Sequence, residues 1–216
     1  MNSRLFIFVG LMVGLILIAA PVEAVDTIAP LPSRFSDTDI DEVPDFQKHV
    51  VPLLSRLGCN GRACHGSLQG RGDFRLSLFG YDFAADFKEL NNPDSPRIDK
   101  ADSEASLVLT MPTDADVHGG GKRFDPAGWE YRVLHNWIQG GATFDVDNVA
   151  KLKRLEISPT EIQFSATGEA EQLTVIAVWQ DGLREDVTPL VRFTTCLLYT
   201  SPSPRDATLS RMPSSA

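Results

Sequence analysis

The chain has 216 residues, 43% of them hydrophobic and 23% charged, and a formal net charge of −9. That composition excludes an intrinsically disordered chain, and the length admits one domain of ordinary size or a small one plus part of a second. The acidic balance repels phosphate backbones, which argues against nucleic-acid binding.

Met1–Arg4 carry one side-chain positive charge, and Leu5–Ala20 are almost unbroken apolar residues. Val22-Glu23-Ala24 then places small residues at the two positions a signal peptidase reads. Residues 1–24 are therefore expected to be a secretory signal, which places the mature chain in a bacterial periplasm or cell envelope. Left uncleaved, the segment would be a membrane anchor, although the run is short for a span of about 20 residues. Contact with a membrane is expected through this segment only.

The next element is a helix over residues 44–57. Phe46, Val50, Leu53 or Leu54, and Leu57 share one face, with Pro52 expected to kink it or start its last segment. His49 falls on the face expected to meet solvent. Then comes Cys59-Asn60-Gly61-Arg62-Ala63-Cys64-His65, followed by Gly66. The usual haem c attachment sequence is C-x-x-C-H. There the two thiols bond the haem vinyl groups and the adjacent histidine faces the iron. Here the spacing is C-x4-C-H, a rarer variant whose two extra residues must bulge, and Gly61 would ease that by tolerating positive φ. Cys59 and Cys64 are thus candidate covalent attachment points for one haem c, and His65 is the candidate proximal iron ligand. Three other uses fit the same residues. Cys59 and Cys64 could form a disulfide in an oxidising envelope. With His65 they could hold zinc, given a fourth ligand. Or they could be a thiol redox centre, for which C-x-x-C is the expected spacing.

Downstream, Asp125-Pro126 reads as an N-cap with proline at the first helical position, and Gly140-Gly141 ends that helix. Trp129, Val133, Leu134, Trp137 and Ile138 give it a broad apolar face. A low-spin electron carrier needs a second axial ligand, normally Met or His, and Met111, His118 and His135 are the candidates. His118 lies in a glycine-rich loop able to approach a haem face closely. His135 sits within the last helix, as a packed or surface residue. Lys122 and Arg123 either neutralise haem propionates or are solvated loop charges. His118-Gly119-Gly120-Gly121 spells an esterase oxyanion loop, but no G-x-S-x-G elbow accompanies it, and no catalytic constellation is present.

Phe46…Val50-Val51-Pro52-Leu53-Leu54, Gly58-Cys59…Cys64-His65-Gly66 and Gly70…Phe74-Arg75-Leu76-Ser77-Leu78-Phe79-Gly80-Tyr81-Asp82 resemble the cytochrome c domain of large exported planctomycete-type proteins. So do Ser106-Leu107, Pro112-Thr113, the stretch His118–Phe124 and the closing Glu130-Tyr131…Trp137-Ile138…Gly141-Ala142. The resemblance covers residues 43–143. It implies one covalent haem and single-electron transfer, and it places the recurring histidine, hence the distal iron ligand, at His118, with Met111 as the alternative. In that family a bacterial Ig-like domain follows.

After a linker at 144–150, the pattern from Lys151 turns to period two: Leu155 and Ile157, Ile162 and Phe164, then Leu173, Val175, Ala177 and Trp179. Gln180-Asp181-Gly182 is a hairpin turn, and Asp186-Val187-Thr188, Val191 and Phe193 continue the scheme. Residues 151–195 look like an incomplete bacterial Ig-like domain, with four or five strands of the roughly seven such a sandwich needs. Residues 196–216 read differently. Cys196–Asp206 matches, in order, the translation of a transposase-type sequencing-library adapter, and Ser210–Ala216 that of a flow-cell primer. This tail is expected to be foreign to the gene, which leaves two native cysteines, both in the motif.

The fold class expected from these elements is a mainly α cytochrome c-like domain followed by a partial all-β Ig-like sandwich. The expected function is electron carriage by an exported haem protein, with a redox partner protein or an oxidoreductase domain encoded beyond Thr195. The alternative is a structural or ligand-binding Ig-like module in which the Cys/His motif is only a staple.

Overall fold

The computed structural model describes residues 26–145, 147 and 151–194. The expected signal (1–24), most of the expected linker and the adapter-like tail with Cys196 lie outside the described residues. The first elements are strand β1 (Thr27–Ile28) and the short helix α1 (Leu31–Arg34). The helix expected over 44–57 forms in two parts. A π-helical turn, Phe46–Val50, runs directly into α2 (Val51–Arg56). Pro52 explains the change of pitch: it has no N–H to donate, and its ring crowds the carbonyl four residues back, which a widened turn relieves. Asp45 caps the start by accepting from the Lys48 N–H at 2.7 Å.

The stretch between the cysteine motif and the last helix holds two helices that the periodicity did not disclose, α3 (Phe83–Leu90) and α4 (Leu107–Thr113). Asp82 caps α3 through the Ala85 N–H at 3.0 Å. The closing helix α5 (Trp129–Gln139) starts later than expected, after Gly128. Asp125 and Pro126 instead form a turn, with the Gly128 N–H donating to the Asp125 carbonyl at 2.8 Å. Phe46, Val50, Leu53, Val133, Leu134 and Trp137 are all buried, as both apolar faces require. Phe46 stacks on Trp137 with ring centres 5.2 Å apart and meets Phe87 and Phe144 edge-on. Among the described residues no helix is long and apolar enough to cross a membrane.

Strands β2 (Leu152–Ser158), β3 (Thr174–Trp179) and β4 (Arg184–Asp186) follow, the last two joined through the expected Asp181-Gly182 turn, where Gly182 has φ +90°. The sheet order is β1-β4-β3-β2, antiparallel except for β1, which pairs parallel with β4.

This corrects the expected fold class. Among the described residues the fold is mixed α/β, five helices with one four-stranded mixed sheet, and not a mainly α domain followed by an all-β sandwich. Among the described residues, the segments around Ile162–Phe164 and Val191–Phe193 are not strands. The physical reason is what covers the sheet. Val175, Ala177, Trp179, Val187 and Leu190 belong to the same buried cluster as Phe46, Leu53 and Trp137, so helices cover the inner face where a second sheet was expected.

The junction also carries a buried charge cluster. Glu185 on β4 is 3% exposed; it accepts from Arg34 Nη1 and stands 2.8 Å from His49 Nε2. His49 is therefore buried against the sheet, not on a solvent face. The Asp45 N–H donates to its Nδ1 at 2.9 Å, which leaves Nε2 as the protonated nitrogen that donates to Glu185. Arg34 also binds Glu42. Burial resists ionisation of Glu185, but the bonds from His49 and Arg34 outweigh it and hold its carboxyl below the ordinary range.

A carboxylate with a lowered pKa stabilises the fold above its unfolded pKa of about 4.3, and loses that contribution as pH falls through its folded value. Glu185→Gln should therefore cost on the order of 3 kcal/mol in urea unfolding at pH 7. The gap from wild type should narrow as the pH falls below the carboxylate range. A gap that stays constant down to pH 3 would show that the charge is not what matters.

Candidate haem site

The end of α2 sets up the cysteine loop. Gly58 takes φ +81°, and the Cys59 N–H donates back to the Leu54 carbonyl at 2.9 Å, a glycine-terminated helix end. The four residues between the cysteines then wind tightly. Gly61 N–H donates to Gly58 O, Cys64 N–H to Gly61 O, His65 N–H to Cys59 O and Gly66 N–H to Gly61 O, all between 2.9 and 3.1 Å. The bulge is thus a closed backbone knot. The sequence placed the necessary positive φ at Gly61, but Gly58 adopts it. Gly66 is required for a different reason, because a Cβ there would lie 2.0 Å from the Asn60 carbonyl oxygen.

Cys59, Cys64 and His65 all line one cavity of about 360 Å³, with Leu54, Phe74 and Leu76 among its apolar walls. The size and lining are those of a small-molecule site. Both thiols are free, with no bond joining them. Burial pushes the Cys59 thiol up to about 11. Arg123 Nη2 stands 3.8 Å from Cys64 Sγ, so this arginine faces the motif. Lys122 instead pairs with Asp125 at 3.1 Å in an exposed ion pair.

His65 lies 2.9 Å from the Arg71 carbonyl and 3.1 Å from that of Phe74, both through Nδ1, so Nδ1 carries the proton and Nε2 keeps its lone pair. Burial, reinforced by the nearby His118 and Arg97, lowers the His65 pKa despite those two carbonyl bonds, favouring the neutral ring a metal needs. His118 is set up in the same way, its Nδ1 donating to the Gly121 carbonyl at 2.8 Å. Among the described residues neither Nε2 has a hydrogen-bond partner. The two rings are 6.3 Å apart between centres and 22° from parallel. Two imidazoles on opposite sides of one metal ion, each with a bond of about 2 Å, need ring centres roughly 6 Å apart. A ring N–H held by a backbone carbonyl is the usual support for a metal-bound histidine.

Met111 also lines the cavity, from the last turn of α4, whereas His135 and His49 do not. His135 Nε2 is 2.9 Å from Ser103 Oγ, and its ring stacks on Tyr131. Among the described residues no three His, Cys, Asp or Glu side chains converge to hold a metal ion unaided. A haem brings four nitrogens of its own and asks the protein only for axial ligands. The residues fit that group: two thiols and one imidazole from the motif, and a second imidazole lining the same cavity.

Sequence reasoning missed Arg71 and Arg97, which line the same cavity. Neither lies in a motif; only the fold brings them to His65. In comparisons with known proteins, no family model, no curated protein and no solved structure matches the chain.

The knot around Gly66 makes a sharp prediction. Gly66→Ala should destabilise the chain by about 1–3 kcal/mol through overpacking against Asn60. Gly61→Ala should be milder, since its Cβ would stand 3.1 Å from the Gly58 oxygen. Chemical unfolding of the two variants side by side checks the order.

Proposed function

We propose that this chain is an exported c-type haem protein that carries single electrons. One observation carries the reading: His65 and His118 line the same cavity with ring centres 6.3 Å apart, each with Nδ1 donating to a backbone carbonyl and Nε2 without a hydrogen-bond partner among the described residues. In this reading Cys59 and Cys64 would hold the haem covalently, His65 would be the proximal ligand and His118 the distal one. When bound, the haem supplies an Fe(III)/Fe(II) couple for one-electron exchange. The chain's own contribution is to fix both imidazoles in the ligating tautomer and to surround the site with apolar side chains. If His65 and His118 both ligated the iron, the protein would leave no position for a substrate, which favours carriage over catalysis.

The resemblance of residues 43–143 to the planctomycete-type cytochrome c domain supports the same reading, as does the signal-like start for an envelope location. A redox partner protein or domain is part of the proposal, and the net charge of −9 favours a basic docking face on it.

The protein produced with a c-type maturation system should be red and keep its haem through acid-acetone extraction, and the Cys59→Ser/Cys64→Ser double variant should lose it. A colourless product holding one zinc, or a Cys59–Cys64 disulfide, would end this proposal.

The distal ligand can be checked on the same material. The oxidised wild type should lack the far-red sulfur-to-iron charge-transfer band. His118→Ala should admit exogenous imidazole or carbon monoxide, whereas Met111→Ala should leave the spectrum nearly unchanged. A charge-transfer band lost in Met111→Ala but kept in His118→Ala would transfer the assignment to Met111.

A further inference from the structure

The cavity has a cationic wall that the ligand set does not use. Arg97 stands between α3 and α4. Its N–H donates to the Leu90 carbonyl at 3.3 Å, and its own carbonyl accepts from the Val108 N–H at 3.0 Å. Its side chain is held as firmly. Nη2 donates to the Gly72 and Asp73 carbonyls at 3.1 and 3.3 Å, and the guanidinium carbon lies 5.0 Å from the centre of the Phe74 ring. Phe74 in turn packs on His65, with ring centres 4.7 Å apart. Yet Arg97 Nε is buried and has no hydrogen-bond partner among the described residues. A buried, charged donor left unpaired is costly, and native structures seldom leave one without a purpose.

We propose that Arg97 is the carboxylate anchor of this cavity, its free Nε–H reserved for a propionate of the haem; this rests on the haem reading above. Three features point to a carboxylate on the bound group. Arg97 lines the cavity and also borders a second, more open depression beside Lys100, so it stands where the cavity meets the surface. An acidic edge of an otherwise apolar molecule belongs at such a boundary. Arg71 lines the same wall, and its guanidinium lies 4.0 Å from where a Gly119 Cβ would be, so a second cation reaches the loop that carries His118. Finally, the Gly72 and Asp73 carbonyls and the Phe74 ring fix the guanidinium plane before any ligand arrives, which is how arginine serves as a directional carboxylate receptor. Arg97 therefore acts as a positioning residue. It selects the orientation in which an acidic, planar group enters and places a positive charge close to His65.

Resonance Raman spectroscopy and potentiometry of the full chain loaded with haem test this with Arg97→Gln and Arg97→Lys. Arg97→Gln should shift the propionate bending bands and lower the reduction potential, because the carboxylate near the iron loses its counter-charge. Arg97→Lys keeps the charge but lacks the Nε–H, so it should keep the potential near that of wild type while still shifting the bands. Unchanged propionate bands in either folded variant would overturn the assignment, whatever the potential does. A wild type without haem would show no such bands at all, and that failure would belong to the haem reading.

Discussion

The position of the cysteine loop depends on a buried carboxylate 126 residues away from the first cysteine of that loop in sequence terms: Glu185 on β4. It receives hydrogen bonds from Arg34 behind β1 and from His49 in the π-helical turn, so one side chain ties the start of the chain and the motif-bearing helix to the sheet. Lys48 adds a contact from the same turn, its ammonium 4.7 Å from the centre of the Trp179 ring on β3. Such a cluster is a poor source of net stability, since desolvation offsets most of the attraction. Its physical consequence is orientation. A helix held only by Phe46, Val50 and Leu53 can slide along an apolar surface, and one that must also present His49 to Glu185 cannot.

From that fixed helix the site follows by short steps. Gly58 ends α2, the backbone knot turns Cys59 and Cys64 to the same cavity, and the Leu76 N–H closes the loop onto the His65 carbonyl at 2.8 Å. The loop is closed by backbone hydrogen bonds, so neither thiol nor His65 Nε2 is spent in closing it. The opposite wall is assembled independently. The Arg123 N–H donates to the Pro112 carbonyl at 2.7 Å, which pins the glycine loop to the end of α4 and brings His118 across from His65.

The sequence made part of this legible. Cys59, Cys64 and His65 stand within seven residues, and the apolar faces of residues 46–57 and 129–138 repeat at helical spacing, so local pattern is enough to find them. The Asp181-Gly182 turn is equally local. What stayed hidden is what depends on distant partners. Two residues, Thr27 and Ile28, are too short a strand to show a period, yet their parallel pairing with β4 makes the sheet mixed. His49 reads as a surface histidine until Glu185 is placed beside it. The alternating run Val175, Ala177, Trp179 correctly signals a sheet with one buried face, but period two does not say whether a sheet or a helix covers that face. Arg97 carries no signal at all, because an arginine in a loop gains meaning only from the cavity it borders.

The choice between His118 and Met111 turns on preorganisation, since both line the cavity. Met111 reaches it on a flexible thioether from the last turn of α4, and ligation would have to freeze its rotamers. His118 is already restrained along its whole length. Its N–H donates to the Asp114 carbonyl at 3.2 Å, its own carbonyl accepts from the Gly121 N–H at 2.7 Å, and its Nδ1 is held by the Gly121 carbonyl. Gly120 is needed for this turn, because a Cβ there would come within 2.8 Å of the His118 ring. The ordering cost of the imidazole has thus been met in folding, and the same backbone bonds that fix the ring also fix which nitrogen keeps its lone pair. Zinc held by the motif alone, or a plain disulfide, would give no reason for a second histidine to be locked in the ligating tautomer in the same cavity. The proposed haem would give one.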